Sequence, residues 1–471
     1  MGSLWIAGAV VVIVVVGIVV GSRWLLSGDN DFRKLGWSEA FERLHARMSE
    51  AYPFTEWKDM DWNVLYAQTA PRIAEAESLG DREIYYLALR EYIRAVPDGH
   101  VAIGGEDLGL RAEAIGGGYG LAIIGLDDGR VVAHILLDDS PAARAGMIWG
   151  AEILTWSGLQ VDDAIAQTPT LWANPTWATL ERRYLDQCRY LVRAPQGTSV
   201  VVTFLNPGET APREATLVAE DDALEALTRT LPLEREALRA LFTPPIRAEV
   251  LSSGYGYITI SGFMPTLGGP RPAQIVDRAM ADFVAQDVQG IIIDVRGNGG
   301  GLDALVPQIV GHFYDEPGFY EYVAAYDPET GQHDIDPEQT LTIEPRAPFF
   351  SGTVMVLVDS DTASTAEGIP LAIRRLPQGH VVGIHGTNGS FAVGRPGDDL
   401  YQLPEGIVVS FLSGRSLDAD GEIQVDANAD GIGGVVPDIR VPLTEETVHA
   451  IYVEGEDVVL KAAVATMNGL R

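Results

Sequence analysis

A serine lies where an apolar strand gives way to a helix. Val358-Asp359-Ser360-Asp361-Thr362-Ala363-Ser364-Thr365-Ala366-Glu367 follows the strand Val354 to Val358 and opens a helical run through Ile369 and Leu371 to Leu376. Amides at a helix N-terminus lack intrahelical acceptors and the dipole there favours negative charge, so a serine in this place could see its oxyanion product stabilised. Taken alone, the segment also fits an ordinary Ser/Thr cap. A second segment strengthens the chemical reading. The continuous apolar strand Ile291-Ile292-Ile293-Asp294-Val295 runs into Arg296-Gly297-Asn298-Gly299-Gly300-Gly301. Consecutive glycines after a buried strand expose backbone N–H groups and admit another chain closely, as an oxyanion hole requires.

A serine nucleophile needs a base. Lysine is scarce: Lys34, Lys58 and Lys461 are all there are, so none lies in the stretch after Ser364. Histidine is the natural replacement. Of the eight histidines, His100 closes Val96-Pro97-Asp98-Gly99-His100 and His385 follows the strand Val381 to Ile384. Carboxylates that could orient an imidazole include Glu422, Asp426 and Asp430. Asp426-x-Asn428-x-Asp430-Gly431 also copies the first half of a calcium loop, but its twelfth position falls on Pro437, which cannot chelate, and no metal or cofactor is expected.

These residues need elements to hold them. Residues 36–112 read as a helical domain, with Ala40, Phe41, Leu44 and Met48, then Ile84, Leu87, Leu89 and Tyr92, at helical spacing. Pro53 and Pro71 are expected to break it. Residues 113–220 change to short β-type runs punctuated by glycine, including Tyr119-Gly120-Leu121-Ala122, the turn Leu126-Asp127-Asp128-Gly129 and the strand Val131 to Leu136. Residues 221–250 read as a charged helical connector. In residues 251–445, strands at Gly256 to Ile260, Ile291 to Val295, Val354 to Val358 and Val381 to Ile384 alternate with helices. One helix carries two rows, Ile275-Ala279-Phe283 and Val276-Met280-Val284. This alternation argues an α/β layer with a buried parallel sheet. Residues 446–471 read as a C-terminal helix.

The glycine segment and the serine segment, in this order, resemble the tail-specific (C-terminal processing) protease family of serine peptidases. The Gly434-Val435-Val436-Pro437-Asp438-Ile439 motif extends the likeness toward the end of the chain. The resemblance implies a ClpP/crotonase-like α/β catalytic domain, a mainly-β PDZ domain and an N-terminal helical segment. It implies Ser364 as nucleophile and an oxyanion hole from Thr365 with Gly299, Gly300 or Gly301. The better-known branch uses a Ser-Lys dyad, with lysine in a loop that here reads Gly386-Thr387-Asn388-Gly389-Ser390-Phe391. Val96 to His100 is instead similar to the tricorn-like branch, which implies His100 as general base, with His385 as the rival. There a serine precedes the histidine, and Gly99 replaces it. The same branch implies an orienting carboxylate before the closing motif, Asp426 ahead of Glu422 and Asp430. The PDZ resemblance implies that Tyr119, Gly120, Leu121 and Ala122 capture a peptide C-terminus by strand addition and amide contacts.

Composition narrows the class of partner. With 33 basic against 66 acidic residues the formal charge is −33, which repels nucleic acid. A single cysteine, Cys188, excludes an internal disulfide and a cysteine-based zinc site. Gly2 to Ser22 carries no charge, and at ~1.5 Å per residue it can just span a bilayer core of ~30 Å. Residues 1–25 are therefore expected to be one transmembrane helix, with the catalytic part extracytoplasmic. The expectation is a membrane-anchored serine endopeptidase acting on proteins or peptides; a catalytically inactive peptide-binding scaffold of the same fold is the alternative.

Overall fold

The computed structural model describes residues 30–230, 244–264, 270–394 and 399–470. The expected transmembrane segment lies outside them. Among the described residues no helix is long and apolar enough to cross a membrane.

The chain opens with three helices, α1 (Trp37–Ala51), α2 (Trp62–Leu79) and α3 (Arg82–Arg94). Asp61 and Asp81 cap α2 and α3 by accepting first-turn amides. Phe41, Leu44 and Met48 of α1 pack with Ile73, Tyr85, Leu89 and Tyr92 in one core. Pro71 does not end a helix: α2 runs through it. Ala67 and Pro71 lie on the exposed face, so water can satisfy the carbonyl that loses its partner. After α3, Ala102–Gly104 pairs antiparallel with Val408–Ser410, tying the end of the helical region to the distant α/β part.

Next comes a five-stranded antiparallel sheet in sequential order: β1 (Leu121–Gly125), β2 (Val131–Leu136), β3 (Glu152–Trp156), β4 (Ser199–Leu205) and β5 (Arg213–Val218). The turn at Asp127 to Gly129 closes β1 on β2, with Gly129 N–H donating to Leu126 O and Gly129 at φ 87°. Helix α4 (Leu180–Leu191) packs along β1, with Cys188 and Val192 entering the same core as Leu121 and Ile123.

The third part is a six-stranded sheet, again in sequential order. Its strands are β6 (Ile246–Val250), β7 (Gly256–Ile260), β8 (Gly290–Asp294), β9 (Thr353–Leu357), β10 (Gly379–Gly383) and β11 (Ile439–Arg440). All neighbours are parallel except β6 and β7. The period of two divides the side chains: Ile291, Ile293, Val354, Val356 and Val381 enter one core, and Ile292, Met355, Leu357 and Val382 the other. Helices α5 (Pro272–Ala285) and α6 (Thr365–Arg374) cover the first face; α8 (Val458–Gly469) covers the second, following α7 (Glu445–Tyr452).

Three local expectations differ. Strand β6 occupies the end of the span read as a connector, because Leu251 to Gly254 forms a hairpin turn that folds it onto β7. Val284 of α5 is exposed, so only one of the two apolar rows is fully used. The C-terminal span holds two helices rather than one; Gly455, at φ 70°, interrupts it and Asp457 caps the second.

Candidate active site

Ser364 stands at the N-cap of α6 with φ 57° and ψ −137°. A non-glycine residue in such a conformation costs about 1–3 kcal/mol and persists only where its surroundings fix it. Here they do. Ser364 N–H donates to Ser390 O at 2.8 Å and to Glu367 Oε2 at 3.0 Å. Glu367, wholly buried, also accepts from the Thr387 hydroxyl at 2.5 Å, Gly389 N at 2.8 Å and Ser390 N at 3.1 Å. Burial pushes its carboxyl up to about 8, against the pull of these donors.

The glycine segment leaves β8 and turns directly onto the serine. Asn298, buried, donates from Nδ2 to Ile260 O and accepts Gly300 N–H on Oδ1, both at 2.8 Å. Its carbonyl accepts Ala363 N–H at 3.0 Å, joining the two motifs. Gly300 has φ 102°, and a Cβ there would lie 2.7 Å from Ser364 Cβ and 3.1 Å from Thr365 N. Only glycine allows both the backbone angle and the approach. Thr365 Oγ1 donates to Gly301 O at 3.0 Å. The structure thus brings Ser364, Gly300, Gly301 and Thr365 together. Gly300 N–H is committed to Asn298, leaving Gly299, Gly301 and Thr365 as the backbone donors of this group.

His100 arrives from the helical region. Its side chain is 16% exposed, and its backbone N–H donates to Asp98 Oδ1 at 2.8 Å, a local turn that places Nδ1 3.4 Å from the same oxygen. Gly99 N–H donates to Ser390 Oγ at 2.9 Å, and Ser390 O receives Ser364 N–H, so one residue links both segments. A side chain at position 99 would meet Asn388 Oδ1 and Ser390 Oγ at 2.9 Å, which explains the glycine. His385 is engaged elsewhere: its Nδ1 lies 2.8 Å from Glu181 Oε1 on α4, and Glu181 also accepts Gly386 N–H.

Asp426 is buried, with Oδ2 accepting Phe391 N–H at 3.0 Å and Oδ1 left without a partner. Burial raises its carboxyl well above the usual range; Asp98 and Glu367 add to the effect, while Lys58 and His100 oppose it. Glu422 and Asp430 are exposed. The calcium-like spacing has a structural use instead, since Asn428 Oδ1 accepts Asp430 N–H and Ile432 N–H within its own turn.

Three residues were not singled out as site candidates from sequence. Asp98 is fully buried and accepts the Tyr52 hydroxyl at 2.8 Å; burial raises its carboxyl, but His100 and Lys58 more than offset this and hold it well below the ordinary value. Glu367 and Lys58 are the others. The Asp98-x-His100 spacing was the one available signal, since an Asp two residues before an amide commonly accepts from it.

In the β-sheet region, Tyr119, Leu121 and Ala122 are buried and Gly120 has φ 78°. Tyr119 O and Gly120 O accept Ala142 N–H and Leu137 N–H. A cavity of about 390 Å³ beside Gly118 and Gly120 is lined by Asp138, Asp139, Glu220, Asp221, Asp222 and Glu225, with Arg229 as its cation.

A strained serine at a helix N-terminus, pressed against a glycine turn at the exit of a parallel sheet, belongs to the serine-type peptidases. Residues 254–441 match the model of peptidase family S41. The chain is also similar to the carboxy-terminal processing protease CtpB of Bacillus subtilis (strain 168), 23% identical over 262 residues, covering 56% of this chain but only 44% of that one. Mature CPAF shares the fold, with a TM-score of 0.62 at 14% identity over 92% of this chain and 97% of that chain. Its complex with lactacystin gives 0.59 at the same identity. The chain belongs to peptidase family S41, the C-terminal processing proteases.

Proposed function

We propose that this protein is a serine endopeptidase in which Ser364 attacks a peptide carbonyl and His100 takes the hydroxyl proton. The tetrahedral oxyanion faces Thr365 N–H and the glycine amides; His100 then returns the proton to the leaving amine, and water repeats the sequence on the acyl-enzyme. One observation carries this reading: Ser364 is held at φ 57° with Gly300 against it. Asp98, ionised and 3.4 Å from Nδ1, is the carboxylate nearest the imidazole. We assign it the orienting role, with Asp426 behind it in the same cluster.

The β-sheet region is proposed as a PDZ-type module that adds a peptide beside β1, an edge strand flanked by α4. The apolar segment from Gly2 to Ser22 supports a single-pass anchor with the catalytic part outside the cytoplasm. Protein and peptide substrates follow from the family. Labelling with a fluorophosphonate tests the core of the proposal: the wild-type chain is expected to be modified at Ser364, and Ser364→Ala to escape. A well-folded wild type that resists the reagent overturns it.

A further inference from the structure

The three lysines differ sharply in their surroundings. Lys34 is exposed, and Lys461 pairs with Glu456 at a side-chain exposure of 60%. Lys58 is 4% exposed. Burying an ammonium costs several kcal/mol unless hydrogen bonds and countercharges offset it. Those that Lys58 finds all belong to the candidate site. Its Nζ donates to Pro97 O at 3.0 Å, two residues from Gly99 and three from His100, and to Ala427 O at 2.8 Å, adjacent to Asp426. Its neighbour Trp57 donates from Nε1 to Asp426 O at 3.0 Å and accepts Ala429 N–H on its carbonyl at 3.0 Å. A two-residue turn between α1 and α2 therefore grips both the segment carrying the imidazole and the segment carrying Asp426.

We propose that Lys58 is a positioning residue of this site, its ammonium tying the His100 and Asp426 segments together and balancing the carboxylates buried between them. The proposal rests on the reading of Ser364 and His100 as the reacting pair. The groups facing this cluster are Lys58 and Tyr52 from the α1–α2 connection, Asp98 and His100 from the loop after α3, Asp426, and Glu367 from α6. Lys58 is the cation among them whose charge does not depend on His100. Without it Asp98 and Asp426 stand together unbalanced, and the cluster takes up a proton more readily. The base then stays protonated to higher pH.

Two properties of the site therefore depend on Lys58 separately, the geometry through two carbonyls and the proton balance through one charge. Two substitutions separate them. Lys58→Met keeps the length of the side chain and removes both; Lys58→Arg keeps the charge but cannot seat a compact ammionium-sized head between the carbonyls. The rate of fluorophosphonate labelling is measured on the full chain from about pH 5 to about pH 9, with circular dichroism as the check on folding. Lys58→Met should label on the order of 10²-fold more slowly, the loss expected of a displacement of about 1 Å, and its acid limb should move to higher pH by about 1 unit. Lys58→Arg should be slowed with the limb where the wild type has it. A purely structural lysine would lower the amount of folded protein without moving the limb. A folded Lys58→Met with the wild-type rate and limb overturns the proposal. Should Lys58→Met not fold, Lys58→Arg decides: slowed labelling with an unmoved limb supports the clamp, and the wild-type rate overturns it. If wild type itself is not labelled at Ser364, the peptidase reading fails and this inference with it; if wild type is labelled and the variants are indifferent, only the inference fails.

Discussion

Ser364 occupies a backbone conformation that residues other than glycine rarely adopt, and the surrounding contacts are spent on keeping it there. Ala363 N–H, Ser364 N–H and Thr365 Oγ1 are bonded respectively to Asn298 O, to Ser390 O and Glu367, and to Gly301 O. A hydroxyl so fixed acts as a unit with its base, and losing either member is expected to lower turnover by roughly 10⁴-fold or more. Ser364→Ala and His100→Ala should each abolish cleavage of an unfolded protein substrate while circular dichroism stays unchanged. His385→Ala should leave most of the activity, because that ring is occupied by Glu181. Reversed effects of the two histidine substitutions would move the base to the loop after β10. The serine and the glycines were legible in sequence because their chemistry depends on a local run of backbone, strand into turn into helix. Asp98, Lys58 and Glu367 were not, because each acquires its role from partners far along the chain: Lys58 and Ala427 are 369 residues apart.

Helix α4 belongs to the β-sheet region, yet its most buried side chain reaches the serine motif. Arg182, 2% exposed, pairs with Asp361 and, at 3.2 Å, with Asp186. Burial pushes the Asp361 carboxyl up, but Arg182 and Arg189 more than offset this and leave it below its ordinary value. A folded value below the unfolded one means the ionised pair stabilises fully above about pH 4, with that stability lost as pH falls through the folded value. Arg182→Met strands a buried aspartate, at a cost of about 3–5 kcal/mol near neutrality. The sign then reverses: Asp361 prefers its proton when folded, so the variant should gain stability on acidification from about pH 6 toward pH 4, where wild type does not. Urea denaturation at several pH values checks this, and parallel slopes for the two proteins would refute it. Binding by the same region has its own test. A peptide and its C-terminally amidated twin, titrated against the Ser364→Ala chain, should differ in affinity if β1 captures a free carboxylate; equal affinity would leave strand addition alone. Strands and helices in these parts were legible wherever a period of two or 3.6 ran uninterrupted. Pro71 and β6 were misread because solvent access to a carbonyl and the closure of a hairpin are tertiary facts.

No single part of the molecule holds the candidate site. The nucleophile comes from the six-stranded sheet, the imidazole from the helical region, and the pairing of Ala102–Gly104 with Val408–Ser410 fixes one against the other. The order of these parts followed from texture along the chain, but the convergence of residues 58, 98, 364 and 426 depends on how the parts dock. Over the whole assembly lies a formal charge of −33. The cavity beside Gly120 concentrates it, with Asp138, Asp139, Glu220, Asp221, Asp222 and Glu225 around one space. A field of one sign steers oppositely charged ligands and repels like ones, and salt weakens both effects. The screening length falls from about 30 Å at 0.01 M to about 10 Å at 0.1 M ionic strength, so the change is felt on the approach of substrate rather than within the buried cluster around His100. For an unfolded substrate rich in lysine and arginine, kcat/KM should therefore fall severalfold over that range, with kcat nearly constant. An acidic substrate of equal length should show the opposite slope. Parallel salt dependence for the two would mean that the surface charge serves solubility alone and that recognition is made by close contacts.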